Sequence, residues 1–243
     1  MSIVVAEGLG RVWPAAAGPP VVAAADISFE VGAGSVFGLL GANGAGKSTT
    51  MRMLATLTQP SSGTARVCGH DVRAAPDRVR ASLGYLSASS GLPARVTCRE
   101  VLELFAALHR VPDPAAAADA AITRFGISAF ASRRTEELST GMRQRVRIAA
   151  AAVHQPAVLI LDEPTAGLDL VAADQLLETI LEARDQGATI LYSTHILREV
   201  ERICDRVAIL DGGRLKAVDT VAGLVRSEGV ASFEAAFVSV VRR

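Results

Sequence analysis

Residues 41–49 read Gly-Ala-Asn-Gly-Ala-Gly-Lys-Ser-Thr, and more follows from this stretch than from any other. It fits the pattern G-x-x-x-x-G-K-[ST], in which glycines let successive backbone N–H groups turn toward one chain of phosphates. The ammonium group of Lys47 can reach the β- and γ-phosphates, and the hydroxyl of Ser48 can bind Mg²⁺. The stretch therefore predicts a binding loop for a nucleoside triphosphate.

The segments on either side of the loop support this interpretation. Residues 35–40 are apolar and strand-like, and residues 49–55 can form the first turns of a helix whose N-terminus faces the phosphates. A glycine-rich turn with a chance lysine is the competing interpretation. The strand–loop–helix context is independent of the pattern, and Lys47 is one of only two lysines in the chain, so the phosphate-binding loop is favoured.

The composition limits what the chain can be. Its 243 residues suffice for one large domain or for a core with a subdomain, and 50% of them are hydrophobic, which is ample for a buried core. The formal net charge is zero and only 4% of the residues are aromatic, so neither charge nor base stacking favours nucleic-acid binding. No apolar run approaches about 18 residues, so we expect no membrane-spanning helix.

Two further features bear on the cellular compartment. Residues 1–7 have no basic region before their short apolar stretch, so we expect no signal peptide. The cysteines Cys68, Cys98 and Cys204 are odd in number and scattered, without a C-x-x-C pattern, which favours reduced thiols in the cytosol.

Strand-like and helical segments alternate along the chain. Strands are predicted at 26–31, 65–68, 83–86, 157–161, 188–193 and 207–210, and helices at 97–109, 113–125, 139–154, 171–184 and 197–204. The part from about 88 to 155 has no convincing strand and is interpreted as a helical insertion. The alternation elsewhere predicts a parallel α/β sheet with its phosphate site at the carboxyl ends of the strands. From Val218 onward we expect amphipathic helix or loop.

Two carboxylates follow the apolar strand at 157–161. We expect this strand to lie beside the strand that leads into the phosphate loop, where Asp162 could hold Mg²⁺ through water. Glu163 would point elsewhere and could polarise a water molecule for attack on the γ-phosphate. A solvated acidic pair is the common alternative, but the wholly apolar strand and the phosphate loop argue against it.

His195 follows the strand predicted at 188–193. A lone histidine is more often structural than functional. At the end of a central strand, however, its ring would lie near the γ-phosphate and could form a hydrogen bond to it.

Residues 139–141, Ser-Thr-Gly, begin a predicted helix. A serine N-cap is a sufficient local explanation. Alternatively, the Ser139 hydroxyl, the Gly141 N–H and the helix N-terminus bind a phosphate. In that case the helix would have to meet the nucleotide of a second chain, because it lies in the insertion, away from its own phosphate loop.

Three further motifs resemble those of one family. Leu138-Ser-Thr-Gly-Met-Arg-Gln-Arg145 resembles the signature motif of the ATPase subunits of ABC transporters. Leu159-Ile-Leu-Asp-Glu-Pro-Thr-Ala-Gly-Leu-Asp169 resembles their Walker B motif and D-loop, and Ser193-Thr-His195 their switch histidine. Their order and spacing match the family, with residues 41–49 as the Walker A loop, and the resemblance extends over about residues 3–216.

A narrower resemblance rests on residues 139–144 and 84–92. These segments look most similar to bacterial exporter subunits of the sodium-extrusion and drug-resistance type. The transported substrate stays open, because in this architecture the permease, a separate chain, selects the cargo.

The resemblance implies an α/β fold with a P-loop NTPase core on a parallel sheet, an N-terminal antiparallel β subdomain and an inserted α-helical subdomain. It implies one ABC ATPase domain over residues 1–243. Within it, the core and β subdomain would comprise 1–87 and 156–216, the helical subdomain 88–155, and a C-terminal tail 217–243.

The resemblance also implies partners and cofactors. The chain would bind and hydrolyse ATP with Mg²⁺ and would form a homodimer, or pair with another ATPase subunit, on ATP binding. Two ATP molecules would lie between Walker A of one chain and the signature motif of the other. An integral membrane permease would dock on the helical subdomain, which makes the chain cytoplasmic and peripheral on the inner face of the cell membrane. No nucleic-acid partner is expected.

Roles are implied residue by residue. The catalytic residues would be Glu163, His195 and Lys47, and the metal would be held by Ser48 and Asp162. Trp13 would stack on adenine, although it could instead be a packing residue, and Asp169 would cross the dimer interface. The residues implied to bind ATP are Trp13, Gly41, Asn43, Gly44, Ala45, Gly46, Lys47, Ser48, Thr49, Ser139, Gly141 and Asp169.

The sequence departs from the family pattern at three positions. Thr140 and Met142 stand where the signature usually has glycine and glutamine, although Ser139 and Gly141 are retained. Ala88 stands where the family usually has a glutamine that touches Mg²⁺ or the attacking water and relays ATP binding to the permease. Because alanine has no side-chain donor or acceptor, we hypothesise slow hydrolysis or altered coupling.

Two other classes of protein compete with a transporter subunit. A soluble ABC ATPase that acts on nucleic acid or ribosomes usually has two cassettes or long insertions, whereas this chain has one cassette and no basic arm. A GTPase would need an Asn-Lys-x-Asp motif, and neither Lys47 nor Lys216 follows an asparagine. A small-molecule kinase would not explain residues 138–145.

Overall fold

The structure is a computed structural model that describes residues 2–14, 18–87 and 91–243. The hypothesis about Ala88 therefore concerns a position outside the described residues. The strands are β1 (Ser2–Trp13), β2 (Val21–Gly32), β3 (Val36–Leu40), β4 (Ser62–Val67), β5 (His70–Asp71), β6 (Leu83–Leu86), β7 (Val158–Asp162), β8 (Thr189–Thr194), β9 (Arg206–Asp211) and β10 (Arg214–Asp219). The helices are α1 (Lys47–Leu54), α2 (Pro76–Ser82), α3 (Cys98–Leu108), α4 (Pro114–Arg124), α5 (Thr140–Ala152), α6 (Leu170–Asp185), α7 (Leu197–Ile203), α8 (Val221–Glu228) and α9 (Phe233–Arg242).

These strands form one sheet in the order β5-β4-β1-β2-β10-β9-β3-β8-β7-β6. The five strands from β9 to β6 are parallel to one another. At the other end of the sheet, β1, β2, β4 and β5 pair in antiparallel fashion. The predicted α/β fold, with a parallel core sheet and an N-terminal antiparallel part, is confirmed.

The position of β7 corrects one prediction. We expected β7 to lie beside β3, the strand that leads into the phosphate loop, but β8 lies between them and pairs with both. The apolar sequence of β7 indicates burial on both faces and carries no information on which strand is its neighbour. All five residues of β7 are buried, and all six of β8 are too.

Two hydrophobic clusters cover the two faces of the parallel strands. Alternate residues of β7 divide between them, because successive side chains of a strand point to opposite faces. Leu159 belongs to the cluster formed with α3, α4 and α5, and Ile160 to the cluster formed with α1, β1 and β2. The core is therefore continuous from the helical insertion to the sheet.

The predicted helical insertion agrees with the structure for the described part of 88–155. Residues 91–155 form α3, α4, α5 and two short 3₁₀ turns, and their one β-bridge is the isolated pair Thr97 and Arg134. The predicted start of α3 is also confirmed. The Thr97 side chain accepts a hydrogen bond from the Glu100 N–H, and the Glu100 carboxylate accepts one from the Thr97 N–H.

The C-terminal part differs from the expectation of helix or loop from Val218. Val218 lies inside β10, which pairs with β9, and α8 and α9 follow. Phe233 and Val240 of α9 pack with Val200 of α7 in a third hydrophobic cluster. None of the helices formed by the described residues is long and apolar enough to cross a membrane.

Candidate functional site

The phosphate loop lies between β3 and α1, packed tightly against the backbone of other segments. A Cβ atom on Gly41 would lie 2.3 Å from the carbonyl oxygen of Leu210. Gly46 has φ +98°, and a Cβ atom there would lie 2.7 Å from the carbonyl oxygen of Ala23. Glycine is therefore required at both fixed positions, by close approach at the first and also by backbone conformation at the second.

A cavity of about 530 Å³ opens in front of this loop. Its lining combines most of the loop with two residues predicted to be catalytic, which come from the ends of other strands. The lining residues are Val21, Val22, Ala23, Asn43, Gly44, Ala45, Gly46, Lys47, Ser48, Thr49, Glu163, Ala166 and His195.

Lys47 is held inside the loop. Its side chain is 5% exposed, and its ammonium nitrogen donates hydrogen bonds to the carbonyl oxygens of Gly41 at 2.8 Å and Ala42 at 3.2 Å. The same nitrogen lies 3.1 Å from Glu163 Oε1. The ammonium group is thus fixed at the cavity wall, with its charge balanced by the carboxylate of Glu163.

Ser48 and Asp162 are brought together at the other side of the loop. The Ser48 hydroxyl donates to Asp162 Oδ1 at 3.0 Å, and the Ser193 hydroxyl donates to the same oxygen at 2.6 Å. Asp162 is 1% exposed. A serine hydroxyl and a buried carboxylate are hard oxygen donors, so this pair fits the ligand preference of Mg²⁺.

Glu163 adopts an uncommon backbone conformation, with φ +50°. Its N–H lies 3.0 Å from Ser193 Oγ and 3.2 Å from the Ser193 carbonyl oxygen. Its Oε2 atom lies 2.8 Å from His195 Nδ1. Because a carboxylate oxygen only accepts, Nδ1 carries the proton in this bond. The carboxylate of Glu163 therefore lies between Lys47 and His195, apart from the Ser48–Asp162 pair.

The turn that carries His195 is fixed from behind by a buried carboxylate. The Thr194 hydroxyl accepts from the Ile196 N–H at 3.0 Å and donates to Glu199 Oε2 at 2.5 Å. The Tyr192 hydroxyl also donates to Glu199 Oε2, at 2.8 Å. Burial, followed by the nearby charge of Glu199, raises the pKa of Tyr192 well above its usual value. Sequence reasoning missed both Ser193 and Glu199 as site residues.

The predicted signature residues lie elsewhere. Ser139 is the N-cap of α5, and its hydroxyl accepts from the Met142 N–H at 3.2 Å. Gly141 lies close to α6, since a Cβ atom there would be 3.1 Å from Ala172 Cβ. Neither residue lines the cavity at the phosphate loop of its own chain.

Asp169 and Trp13 also lie outside that cavity. Asp169 is exposed and caps α6, with Oδ1 accepting from the Ala172 N–H at 2.9 Å. Trp13 ends β1 and is 39% exposed, and the guanidinium carbon of Arg11 lies 3.9 Å from its ring centroid. The β2 partner of Trp13 is Val21, which does line the cavity, so the indole is at the margin of the site.

Comparisons with known proteins agree with this geometry. The sequence profile of the family described as "ABC transporter" matches residues 24–166. The ABC transporter ATP-binding protein NatA of Bacillus subtilis (strain 168) is 37% identical over 211 residues, which cover 86% of each chain. The daunorubicin/doxorubicin resistance ATP-binding protein DrrA of Streptomyces peucetius is 41% identical over 205 residues, which cover 84% of this chain but only 62% of DrrA.

A solved structure resembles the whole fold. It is titled "Structure of ATP binding subunit of ABC transporter", and it matches with a TM-score of 0.84 and 32% sequence identity over 98% of this chain and 99% of that one. The chain therefore belongs to the ATP-binding subunits of ABC transporters, a family of ATPases.

Proposed function

We propose that this chain is the ATP-hydrolysing subunit of a membrane exporter and that it works as a dimer with a separate permease. The position of the Glu163 carboxylate carries the proposal. It lies 3.1 Å from the ammonium group of Lys47 and 2.8 Å from His195 Nδ1, one residue beyond the carboxylate that binds Ser48. This arrangement places a base, a cation and a proton donor around one cavity.

In this proposal the cavity holds the phosphates of ATP. The backbone N–H groups of residues 43–49 and the N-terminus of α1 face the phosphate chain. Lys47 exchanges its ion pair with Glu163 for contact with the β- and γ-phosphates, without the cost of desolvating an exposed lysine. Ser48 and Asp162 hold Mg²⁺, which when bound neutralises charge on the phosphate oxygens.

The same geometry suggests how water is activated. Once Lys47 faces phosphate, Glu163 Oε1 is available to accept a hydrogen bond from a water molecule and to orient it toward the γ-phosphate. His195 donates from Nδ1 to Glu163 Oε2 and keeps the carboxylate in place. Its Nε2 is then the atom that can contact the γ-phosphate oxygens, and the ring is 47% exposed.

The location of the signature residues supports a dimer. Ser139 and Gly141 begin α5 with exposed or half-exposed backbone, away from the phosphate loop of the same chain. A second copy, placed head to tail, would bring them to its nucleotide, with the N-terminus of α5 facing the γ-phosphate. Asp169 would then lie at the interface, next to the exposed apolar side chains of Leu170 and Val171.

The names of the relatives support an exporter. DrrA is named for daunorubicin and doxorubicin resistance, and the similar solved structure is titled as a subunit of an ABC transporter. We therefore propose an integral membrane permease as partner and a location on the inner face of the cell membrane. Residues 88–155 would form the helical subdomain that contacts it, 1–87 with 156–216 the nucleotide-binding core, and 217–243 a C-terminal tail.

The variant Glu163→Gln tests the hydrolytic proposal. With MgATP it should lose turnover by at least about 10³-fold, keep its affinity for ATP, and elute as a dimer in size-exclusion chromatography. Glu182→Gln is the matched control, because it removes the same charge from an exposed position on α6 and should hydrolyse ATP at the wild-type rate. Wild-type turnover by Glu163→Gln would contradict the assignment of the base. Stimulation of turnover by the membrane protein encoded nearby would test the partner.

A further inference from the structure

Two side chains of α5 connect the carboxyl ends of β6 and β7. One guanidinium nitrogen of Arg147 donates to the carbonyl oxygen of Ser87, just after β6, at 2.6 Å. The other donates to Gln144 Oε1 at 2.6 Å, and Gln144 Nε2 donates to the carbonyl oxygen of Pro164 at 2.6 Å. A continuous line of hydrogen bonds thus runs from Ser87 through α5 to the residue that follows Glu163.

The bridge is costly to build, which argues that it does more than stabilise the fold. Gln144 is 7% exposed, and burial lowers the pKa of Arg147. In the described part of the chain, both bonds from the Arg147 guanidinium go to neutral oxygens, and its Nε is buried without a partner. A partly desolvated cation without an opposing carboxylate recovers little of its hydration energy, so an apolar side chain would cost less at this position.

The bridge ends where the backbone of the proposed base needs support. Glu163 has φ +50°, which an L-residue holds only when its surroundings fix it. The peptide before Glu163 is fixed by hydrogen bonds from its N–H to Ser193. The peptide after Pro164 is fixed by Gln144, whose own amide is oriented by Arg147.

We propose that Gln144 and Arg147 are positioning residues for hydrolysis, which hold the backbone of Glu163 so that its carboxylate meets the water at a productive angle. This inference rests on the proposed function, in which Glu163 acts on water. Both residues lie on the helix that begins at Ser139, five and eight positions along it. Gln144 and Arg147 therefore also fix the distance between the signature end of α5 and the proposed base of the same chain.

Steady-state hydrolysis of MgATP by purified variants tests the inference. Arg147→Met removes the donors at similar length, and Gln144→Glu keeps the acceptor for Arg147 but removes the donor to Pro164. Each should lower kcat by about 10-fold, since small misplacement of a catalytic group has effects of this order or larger, with KM for ATP within about twofold of wild type. Because the two residues act in series, the double variant should lose no more than the more affected single variant.

The matched control is Arg145→Met on the same helix. Arg145 makes only a 3.4 Å hydrogen bond to the Gly126 carbonyl oxygen, so its loss should leave kcat unchanged. Arg147→Lys keeps the charge but cannot bridge two oxygens in the planar manner of a guanidinium, and its kcat should be intermediate.

Three results would overturn the inference while wild type hydrolyses ATP. They are a wild-type kcat for Arg147→Met or Gln144→Glu, losses that multiply in the double variant, and a loss that matches the unfolded fraction measured by thermal denaturation. If Arg147→Met does not fold, Arg147→Lys with a wild-type kcat overturns it equally. Wild-type protein without MgATP hydrolysis would instead refute the proposed function.

Discussion

The Ser48 hydroxyl lies 3.0 Å from Asp162 Oδ1, although the strands that lead to these two residues are not neighbours in the sheet. Strand β8 separates them, and Ser193 near its carboxyl end donates to the same oxygen of Asp162 at 2.6 Å. The ends of three adjacent parallel strands therefore converge on one buried carboxylate. This follows the rule that sites of open α/β sheets lie beyond the carboxyl ends of the strands.

Asp162→Asn should abolish the metal dependence of hydrolysis. An amide oxygen can still accept from Ser193, so the fold should persist, but the negative charge that attracts Mg²⁺ is lost. We expect kcat to fall by at least about 100-fold, because a catalytic metal supplies several kcal/mol of charge stabilisation. Titration of ATPase activity with Mg²⁺ measures this. Asp211→Asn, which changes the last residue of β9, is the control, and a wild-type Mg²⁺ titration for Asp162→Asn would refute the metal assignment.

His195→Ala should slow hydrolysis with little effect on nucleotide binding. The Glu163 carboxylate would lose its hydrogen bond from Nδ1, and we expect kcat to fall by about 10². Single-turnover measurements with excess protein separate this step from product release. His70→Ala, at the β5 edge of the sheet, should behave as wild type. Equal rates for the two variants would return His195 to a structural role.

Gly41→Ala should damage the phosphate loop without touching a functional side chain. Its Cβ atom would meet the Leu210 carbonyl oxygen at 2.3 Å and Ala45 Cβ at 2.9 Å, and neither backbone can yield cheaply. We expect a loss of about 1–3 kcal/mol in the free energy of unfolding, as in other overpacked sites, and weaker ATP binding. Gly91→Ala is the control, since a Cβ atom there meets nothing within 4 Å. Chemical denaturation of both variants measures the difference.

Much of the fold was predictable because local sequence and burial agree. The capping box of α3 and the apolar β7 are examples, since each is encoded by a few adjacent residues. Strand β1 was missed for a physical reason. Its pairing with β2 shifts register several times between Ser2 and Val12, so apolar and polar residues do not alternate as they do in a regular strand.

The site was predictable only where residues follow strand ends. Asp162, Glu163 and His195 were expected near one another on that basis, and the structure brings Glu163 within hydrogen-bond distance of His195. Gln144 and Arg147 carried no such signal, because polar residues on a helix usually face solvent. Whether they turn inward depends on how α5 packs on β6 and β7, which local sequence does not specify.

His154 should make stability depend on pH. Its ring stacks on His109 with centroids 3.6 Å apart, and Nε2 donates to the Leu83 carbonyl oxygen at 3.2 Å. Burial, and then the positive charge of His109, lowers the pKa of His154 to about 4. An unfolded histidine titrates near pH 6.5, so below that pH the unfolded chain binds more protons than the folded one. Stability is therefore retained above about pH 6.5 and lost as the pH falls toward 4.

Thermal denaturation between pH 7.5 and 5 measures this dependence. The melting temperature of wild type should fall more steeply than that of His154→Phe, which keeps an aromatic ring beside His109 but cannot take up a proton. For a chain of this size each kcal/mol lost lowers the melting temperature by about 2–4 °C. His70→Phe should retain the wild-type slope. Parallel curves for wild type and His154→Phe would show that other groups set the pH dependence.

Trp13 offers a direct optical test of where the base of ATP binds. It is the only tryptophan in the chain, it is 39% exposed, and its neighbour across the strands, Val21, lines the cavity at the phosphate loop. If adenine stacks on the indole, ATP should change the intrinsic fluorescence of Glu163→Gln protein, in which turnover does not interfere. Inorganic tripolyphosphate, which lacks a base, should not.

The affinity of Trp13 variants completes this test. Stacking of a base on an aromatic ring is worth about 1–3 kcal/mol, so Trp13→Ala should raise the Kd for ATP by roughly 5- to 150-fold, whereas Trp13→Phe should retain most of the affinity. The Kd for tripolyphosphate should not change in either variant. Arg11 already covers one face of the indole, with its guanidinium carbon 3.9 Å from the ring centroid, so only the other face is available to adenine. Wild-type affinity of Trp13→Ala for ATP would assign the indole to packing against Arg11 alone.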